Sequence, residues 1–192
     1  MSKEKNIGIC PVVCPVEYAG GLDNKIRRLL QNPIKFLKPH IKEGMTVLDL
    51  GCGPGFFTLE IARMLNNTGK VIAADLQEGM LEKVRQKIRG TKIEPGIVLH
   101  KCQEENIGIT EKVDFILAFY MIHEVPDQDK LFLELESILQ THGTIFIVEP
   151  MFHVSKKSFE NMIDRVKRIG FEIIDRPKSF LNRSVVLKKN KF

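Results

Sequence analysis

Two hydrophobic patterns alternate along the chain from residue 44 onward. Short uninterrupted runs of β-branched and aliphatic residues are typical of strands buried on both faces of a parallel sheet. Segments with apolar residues three and four positions apart predict amphipathic helices. The predicted strands cover residues 46–50, 70–75, 97–100, 113–119, 144–148, 171–175 and 184–187, and the predicted helices cover 55–65, 77–89, 127–140 and 155–168.

This order of elements predicts an α/β fold. Alternating strands and helices form a parallel sheet with helices on both faces. The last two strands are separated by a short segment that contains Pro177, too short for a helical crossover, so they must run antiparallel. The expected fold is a Rossmann-like, doubly wound, seven-stranded, mostly parallel sheet with its last strand antiparallel. Ser155 is the expected N-cap of the last helix, and Gly170 is its expected end.

Composition narrows the class of protein. The 192 residues, 43% hydrophobic and 28% charged, fit one globular domain. No apolar stretch reaches the roughly 18 residues of a membrane span, and the start of the chain lacks a signal-peptide core. We therefore expect a cytoplasmic protein with reduced cysteines and no membrane partner. The net charge of +5 is mild, and the scarcity of aromatic residues beside basic ones disfavours nucleic acid as a partner.

A glycine-rich loop follows the first strand. The apolar run 47–50 leads into Gly51, Gly53 and Gly55, and a predicted helix comes next. Glycines allow a sharp turn and the close approach of a ligand, and ligands of open α/β sheets bind beyond the carboxyl ends of the strands. Asp75 ends the second strand, about 20 residues after the loop, where a carboxylate can accept hydrogen bonds from a ribose. Together these features indicate an adenosine-type ligand, either NAD or S-adenosylmethionine.

The spacing of the glycines distinguishes a site for NAD from a site for S-adenosylmethionine. A dinucleotide fingerprint requires a third glycine at position 56, which is Phe56 here. The segment 47–55, Val-Leu-Asp-Leu-Gly-Cys-Gly-Pro-Gly, instead resembles motif I of the class I S-adenosylmethionine-dependent methyltransferases, of the small-molecule, type 11-like kind. The resemblance extends from about residue 44 to residue 187 and includes the reversed last strand. It implies S-adenosylmethionine as cofactor and S-adenosylhomocysteine as product.

The resemblance also implies roles for individual residues. The three glycines would face the methionine part and the ribose, Asp49 would orient the loop and the cofactor amine, and Asp75 would hold the ribose hydroxyls. The alternative for Asp49 and Asp75 is capping of the loops that follow them. Cys102 stands where the family often has Asp, so the adenine contact falls to Gln103 or to a backbone amide. The implied cofactor-binding residues are Asp49, Gly51, Cys52, Gly53, Gly55, Asp75, Leu76, Cys102, Gln103 and Ala118.

Methyl transfer from an activated sulfonium requires mainly alignment, with a base only for acceptors that retain a proton. The candidate catalytic residues at the ends of the fourth and fifth strands are Tyr120, His123 and Glu149. His123 has a suitable ordinary pKa, but it could instead bond to a backbone carbonyl. Glu149 is expected to point into the cleft, where it either binds substrate or caps the next turn.

Residues 1–42 are rich in proline and turn formers, and residues 43–192 form the predicted cofactor-binding domain. The first segment is either a lid over the active site or an ordinary packed arm. Candidate substrate-contacting residues are Tyr18, Cys10, Cys14 and His153. Cys10 and Cys14, with Cys102, weakly resemble the cysteines of arsenite methyltransferases. No paired-cysteine motif indicates a bound metal, so none is predicted.

The preferred function is methyl transfer to a small-molecule acceptor, with a thiol or a metalloid among the candidates. The alternatives are an RNA or protein methyltransferase, which the basic charge favours, and a non-catalytic module that binds S-adenosylmethionine. The sequence leaves the acceptor and the oligomeric state open.

Overall fold

Seven strands form one sheet in the computed structural model, which describes residues 33–178 and 181–190. Four of the strands have the bounds that the hydrophobic pattern predicts. The strands are β1 (Thr46–Leu50), β2 (Lys70–Asp75), β3 (Ile97–Lys101), β4 (Val113–Phe119), β5 (Leu139–Pro150), β6 (Phe171–Asp175) and β7 (Asn182–Lys189).

The sheet has the strand order β3-β2-β1-β4-β5-β7-β6. β1 pairs in parallel with β2 and with β4, so the direction of the crossovers reverses at β1. β7 lies antiparallel to both β5 and β6. The predicted fold class, a mostly parallel sheet with a reversed last strand, is therefore confirmed. The reversal at β1 creates a crevice beyond the carboxyl ends of β1 and β4.

Five α-helices and two 3₁₀ turns connect these strands within the described residues. The 3₁₀ turns cover Glu94–Gly96 and Ile122–Glu124. The helices are α1 (Pro33–Leu37), α2 (Thr58–Leu65), α3 (Glu78–Ile88), α4 (Gln128–Ile138) and α5 (Lys156–Ile169). Ser155 caps α5 as predicted, because its hydroxyl accepts a hydrogen bond from the Ser158 amide at 3.0 Å, and α5 ends at Gly170.

Two element boundaries differ from the sequence prediction by three residues or more. α2 begins at Thr58 instead of residue 55, because the glycine loop continues as turns up to residue 57. β5 begins at Leu139, where the sequence predicted the end of a helix. Leu139 pairs with Val113 at the start of β4, and a shift in register between Val113 and Phe115 accommodates the extra residues.

The sheet carries a hydrophobic core on each face. β4 contributes to both cores, since Ile116 packs with α4 and α5, whereas Phe115 packs with α1, α2 and α3. Both side chains are fully buried. Within the described ranges no helix is long and apolar enough to cross a membrane. The proposed division at residue 42 stays a prediction, because residues 1–32 lie outside the described residues.

Replacing Ile116 with alanine removes buried methyl groups from the centre of the sheet. Ile116→Ala is expected to lower the free energy of unfolding by about 2–5 kcal/mol, as measured by urea denaturation. Val98→Ala on β3 is the control, because the Val98 side chain is 45% exposed, and its effect should stay below about 1 kcal/mol. Equal losses in the two variants would contradict the position assigned to Ile116.

Candidate functional site

A large cleft lies beyond the carboxyl ends of the parallel strands. Its volume is about 1110 Å³, somewhat above the roughly 300–1,000 Å³ of most small-molecule sites. One end is formed by the loops after β1, β2 and β3, and the other by the loops after β4 and β5. The cleft therefore has room for two small molecules side by side.

The glycine loop forms one wall of the cleft, and its glycines have different surroundings. Gly51 has φ +69°, and a Cβ there would lie 2.9 Å from the Met121 Cβ. Gly53 has φ +52°, lines the cleft, and would carry a Cβ with no heavy atom within 4 Å. Gly55 packs inward, since a Cβ there would lie 2.8 Å from Leu59. Gly53 is thus the glycine that leaves open space for a ligand at the backbone.

The Asp75 carboxylate joins two loops of the cleft wall. One oxygen accepts a hydrogen bond from the Gly53 amide and the other from the Gln77 amide, both at 2.9 Å. Burial raises the pKa of Asp75, although the backbone hydrogen bonds oppose this. The carboxylate therefore has the capping role that the sequence left as an alternative. It also lies on the wall of the cleft, so its predicted contact with a ribose stays a prediction.

Asp49 lies beneath the loop rather than in the cleft wall. It is 2% exposed, and its carboxylate accepts a hydrogen bond from the Thr58 hydroxyl at 2.6 Å. This bond ties the end of β1 to the first residue of α2. The predicted contact of Asp49 with the cofactor amine and the predicted cofactor-binding role of Ala118 stay predictions, and neither residue lines the cleft.

The segment after β3 forms the wall opposite the glycine loop. The Cys102 amide donates a hydrogen bond to the Asp75 carbonyl oxygen at 2.9 Å, and the Gln103 side chain accepts one from Asn106 at 3.1 Å. Burial raises the pKa of the Cys102 thiol to about 12 and that of Cys52 well above its usual value. Both thiols are therefore protonated near neutral pH. Leu76, Cys52, Cys102 and Gln103 all line the cleft, and their predicted contacts with the cofactor stay predictions.

His123 and Glu149 form a pair at the other end of the cleft. His123 Nδ1 is hydrogen-bonded to Glu149 Oε2, and the second Glu149 oxygen accepts a hydrogen bond from the Ile122 amide at 2.9 Å. The hydrogen bond to Glu149 raises the pKa of His123, with burial opposing it. Glu149 is 1% exposed and does not line the cleft, whereas His123 does. Of the two roles left open for Glu149, the geometry favours holding the next turn over direct contact with substrate.

Tyr120 and His153 lie at the same end. Tyr120 has a left-handed backbone, with φ +60°, and its hydroxyl is hydrogen-bonded to the Asn182 side chain. The His153 ring is exposed and lies 5.9 Å from that of His123. Sequence reasoning did not find Asn182, because it reaches Tyr120 only through the pairing of Pro150 with Asn182 between β5 and β7. Cys10, Cys14 and Tyr18 lie outside the described residues.

The charges around the cleft are mainly negative. The lining has Lys130 as its single lysine among the described residues, against several carboxylates. These acidic residues are Asp75, Glu104, Glu105, Glu124, Asp127 and Glu134. Within residues 33–178 and 181–190, no group of three or more His, Cys, Asp or Glu residues is placed so that it could hold a metal ion. The cleft therefore repels anions such as a phosphate backbone.

A family model described as a methyltransferase domain matches residues 41–184. The chain belongs to this methyltransferase family. The resemblance to class I S-adenosylmethionine-dependent methyltransferases is confirmed, and with it S-adenosylmethionine as the cofactor. The matched residues include every residue that lines the cleft, from Leu50 to Leu181.

Individual proteins support the same assignment. A demethylmenaquinone methyltransferase from Lactobacillus johnsonii is 30% identical over 115 residues, which cover 59% of this chain and 47% of that protein. The ubiquinone/menaquinone biosynthesis C-methyltransferase UbiE of Escherichia coli is 27% identical over 137 residues, covering 71% and 53%. The chain thus spans about half the length of the curated relatives it matches.

One solved methyltransferase structure matches this chain over nearly the whole length of both proteins. The crystal structure of a SAM-dependent methyltransferase from Aquifex aeolicus superposes with a TM-score of 0.82 at 26% identity. The match covers 91% of this chain and 98% of that one.

The residues that line the cleft of the present chain fit S-adenosylmethionine. The open space at Gly53 would receive the backbone side of the ligand, and the Asp75 carboxylate would accept hydrogen bonds from the ribose hydroxyls. The acidic walls suit a ligand with a positively charged sulfonium and amine. These groups would hold the cofactor at the end of the cleft opposite His123.

Gly53 and Gly44 offer a matched test of the glycine loop. Both have positive φ, and at both a Cβ would meet nothing within 4 Å, but only Gly53 lines the cleft. Gly53→Ala and Gly44→Ala should therefore destabilise the protein equally, by about 1–2 kcal/mol. Gly53→Ala alone should weaken the binding of S-adenosylhomocysteine, by about 10- to 100-fold in calorimetric titration, because the methyl group occupies ligand space. Unchanged binding by Gly53→Ala would contradict this site.

Proposed function

We propose that this chain transfers the methyl group of S-adenosylmethionine to a small, apolar acceptor that carries an ionisable hydroxyl group. The observation that carries the proposal is the position of His123, which lies in the same cleft as the glycine loop and is backed by a buried carboxylate. A base held in this way serves an acceptor that must lose a proton.

The walls around the acceptor end support an apolar molecule. The Phe57 and Phe119 rings lie 4.4 Å apart, and those of Phe119 and Tyr120 lie 4.3 Å apart, as centroid distances. These rings are part of the cleft lining. The rings are tilted by 43° and 37° to one another and pack together, so they give this part of the wall an aromatic character that suits an apolar acceptor. Met121 and Val125 extend the apolar wall.

Each residue at this end has a distinct task in the proposed reaction. His123 uses Nδ1 for Glu149, so Nε2 is the ring nitrogen that takes the acceptor proton. Loss of that proton gives the acceptor the electron density it needs to attack the electrophilic methyl group that S-adenosylmethionine supplies. Glu149 stabilises the imidazolium that forms, and Asn182 fixes the orientation of Tyr120 in the wall.

The names of the relatives agree with an acceptor of this class. One relative is named for demethylmenaquinone and the other for ubiquinone and menaquinone biosynthesis. At 27–30% identity over about half of their length, they support an apolar, ring-containing acceptor without identifying the molecule.

The other acceptors considered from the sequence have less support. A thiolate-bound metalloid would need ionised cysteines, whereas burial raises the pKa of Cys102 to about 12. An RNA acceptor would have to approach the acidic residues of the cleft, such as Glu104 and Glu105, although the chain has a net charge of +5. The labelling assay therefore includes both kinds of acceptor.

The acceptor class is tested with methyl-labelled S-adenosylmethionine. The full chain is incubated separately with simple hydroquinones and phenols, with thiols, with arsenite, and with total RNA and protein. Label should enter the hydroquinone or phenol products, because only these match both the aromatic wall and the base. Transfer to RNA, protein or arsenite alone would contradict the proposal. Binding of S-adenosylhomocysteine without transfer to any acceptor would favour the non-catalytic module.

The pH dependence of the rate tests the His123–Glu149 pair. His123 accepts a proton only when neutral, and its pKa is raised, so kcat should rise with pH and level off only above the ordinary His value of about 6.5. Glu149→Gln removes the largest cause of the shift and should move this rise to lower pH. Glu124→Gln, which removes the smallest cause, should move it less.

Replacement of His123 tests directly whether this residue acts as the base. His123→Gln should lower kcat by about 10²- to 10⁴-fold while S-adenosylhomocysteine binding is retained. A pH profile that is the same in Glu149→Gln and in the unsubstituted protein would show that the pair does not act in the reaction.

A further inference from the structure

Two exposed apolar side chains lie at the mouth of the cleft. Phe152 is 82% exposed and Met151 is 40% exposed, in the turn that follows β5. The turn is anchored, because the Met151 amide donates to the Leu181 carbonyl at 3.1 Å and the Val154 amide to the Pro150 carbonyl at 2.9 Å. The backbone of this turn is thus fixed while the Phe152 ring is presented to the surroundings.

A group of cationic side chains lies next to this turn. A shallow depression of about 390 Å³ lies between the start of α5 and the β6–β7 connection. Arg183, in its lining, donates a hydrogen bond from Nε to the Val154 carbonyl at 3.1 Å, which joins the depression to the turn. We call the cationic residues here the basic rim: Lys156, Arg176, Lys178 and Arg183.

The basic rim keeps a positive charge after its internal pairing is considered. Glu160 is the single acidic residue that lines the depression among the described residues, and it accepts two hydrogen bonds from Arg176, at 2.7 and 3.0 Å. Glu160 also interacts electrostatically with Lys156, so one carboxylate faces four cations in the described lining, which are Lys156, Arg176, Lys178 and Arg183. This arrangement is opposite in sign to the cleft itself, whose walls are acidic.

We propose that Phe152, Met151 and the basic rim form a docking surface for an anionic lipid bilayer. An exposed aromatic side chain beside lysines and arginines combines the two attractions that bind peripheral proteins to such a surface, apolar burial at the interface and charge attraction to the headgroups. Because Phe152 also lines the cleft, docking places the mouth of the cleft against the bilayer.

A bilayer accounts for more of this surface than a free phosphate does. Phosphate would use the cations and leave Phe152 exposed to water, whereas a bilayer engages both. The acidic cleft walls disfavour headgroups in the cleft, so an apolar acceptor would enter from the bilayer while the headgroups stay at the rim. This route for the acceptor depends on the proposed function, but the docking itself does not.

Vesicle co-sedimentation tests the proposal without any acceptor. The full chain should bind vesicles of phosphatidylcholine that contain phosphatidylglycerol, bind vesicles of phosphatidylcholine alone more weakly, and lose affinity as salt is raised. Phe152→Ser should lower the partition coefficient by about tenfold or more. The pair Lys156→Gln and Lys178→Gln should lower it by about 30-fold, at about 1 kcal/mol for each cation.

Matched controls lie away from this surface. Leu133→Ser removes another exposed apolar side chain, 56% exposed on α4, and Arg89→Gln with Lys92→Gln removes two exposed cations near the opposite edge of the sheet. Both controls should retain vesicle binding, and all variants should unfold at about the same urea concentration as the unsubstituted protein, which shows that they are folded.

Several results would overturn the proposal. These are an absence of binding to anionic vesicles at low salt, equal losses in the control variants, and a calorimetric response to inorganic phosphate that needs Lys156 and Lys178 while vesicles do not bind. A concentration-dependent dimer that Phe152→Ser dissociates would assign the surface to a second copy of the chain. Vesicle binding without methyl transfer to hydroquinones would leave the docking surface intact and contradict only the proposed function.

Discussion

The Asp75 carboxylate is the group on which the cofactor end of the cleft depends. It accepts hydrogen bonds from the Gly53 and Gln77 amides, and the Asp75 carbonyl accepts one from Cys102. One residue at the end of β2 thus fixes the glycine loop, the loop after β2 and the segment after β3. A hydrogen bond from an amide to a carboxylate is stronger than one between neutral groups, which suits a carboxylate that holds several loops in place.

The acceptor end depends on the reversed strand. Because β7 runs antiparallel to β5, Asn182 at the start of β7 lies opposite Pro150 at the end of β5. This pairing brings Asn182 to Tyr120, while Glu149, one residue earlier, reaches His123. The residues that would choose and activate the acceptor therefore come from three strands that are far apart in sequence but adjacent in the sheet.

Local signals made the cofactor end predictable. The loop with Gly51 and Gly53, and Asp75 at the end of the next strand, are set by short-range spacing, and the buried strands appear as plain apolar runs. The features that the sequence did not predict depend on pairing between strands that are far apart in the sequence. The extension of β5 back to Leu139 required a register shift against Val113, and the partnership of Tyr120 with Asn182 required the register of β7. Neither register is encoded in a local pattern.

The backbone of Tyr120 has a consequence for how this cleft could change over evolution or by design. A left-handed conformation is easy for glycine and tolerable for asparagine, but it strains a tyrosine, by about 1–2 kcal/mol. Most substitutions in an active-site wall weaken the fold, which limits how far a pocket can be reshaped. At position 120 a glycine would relieve this strain and enlarge the acceptor space, but it would also remove the hydrogen bond to the buried Asn182 side chain, so part of the stability lost with that bond would be regained from the backbone.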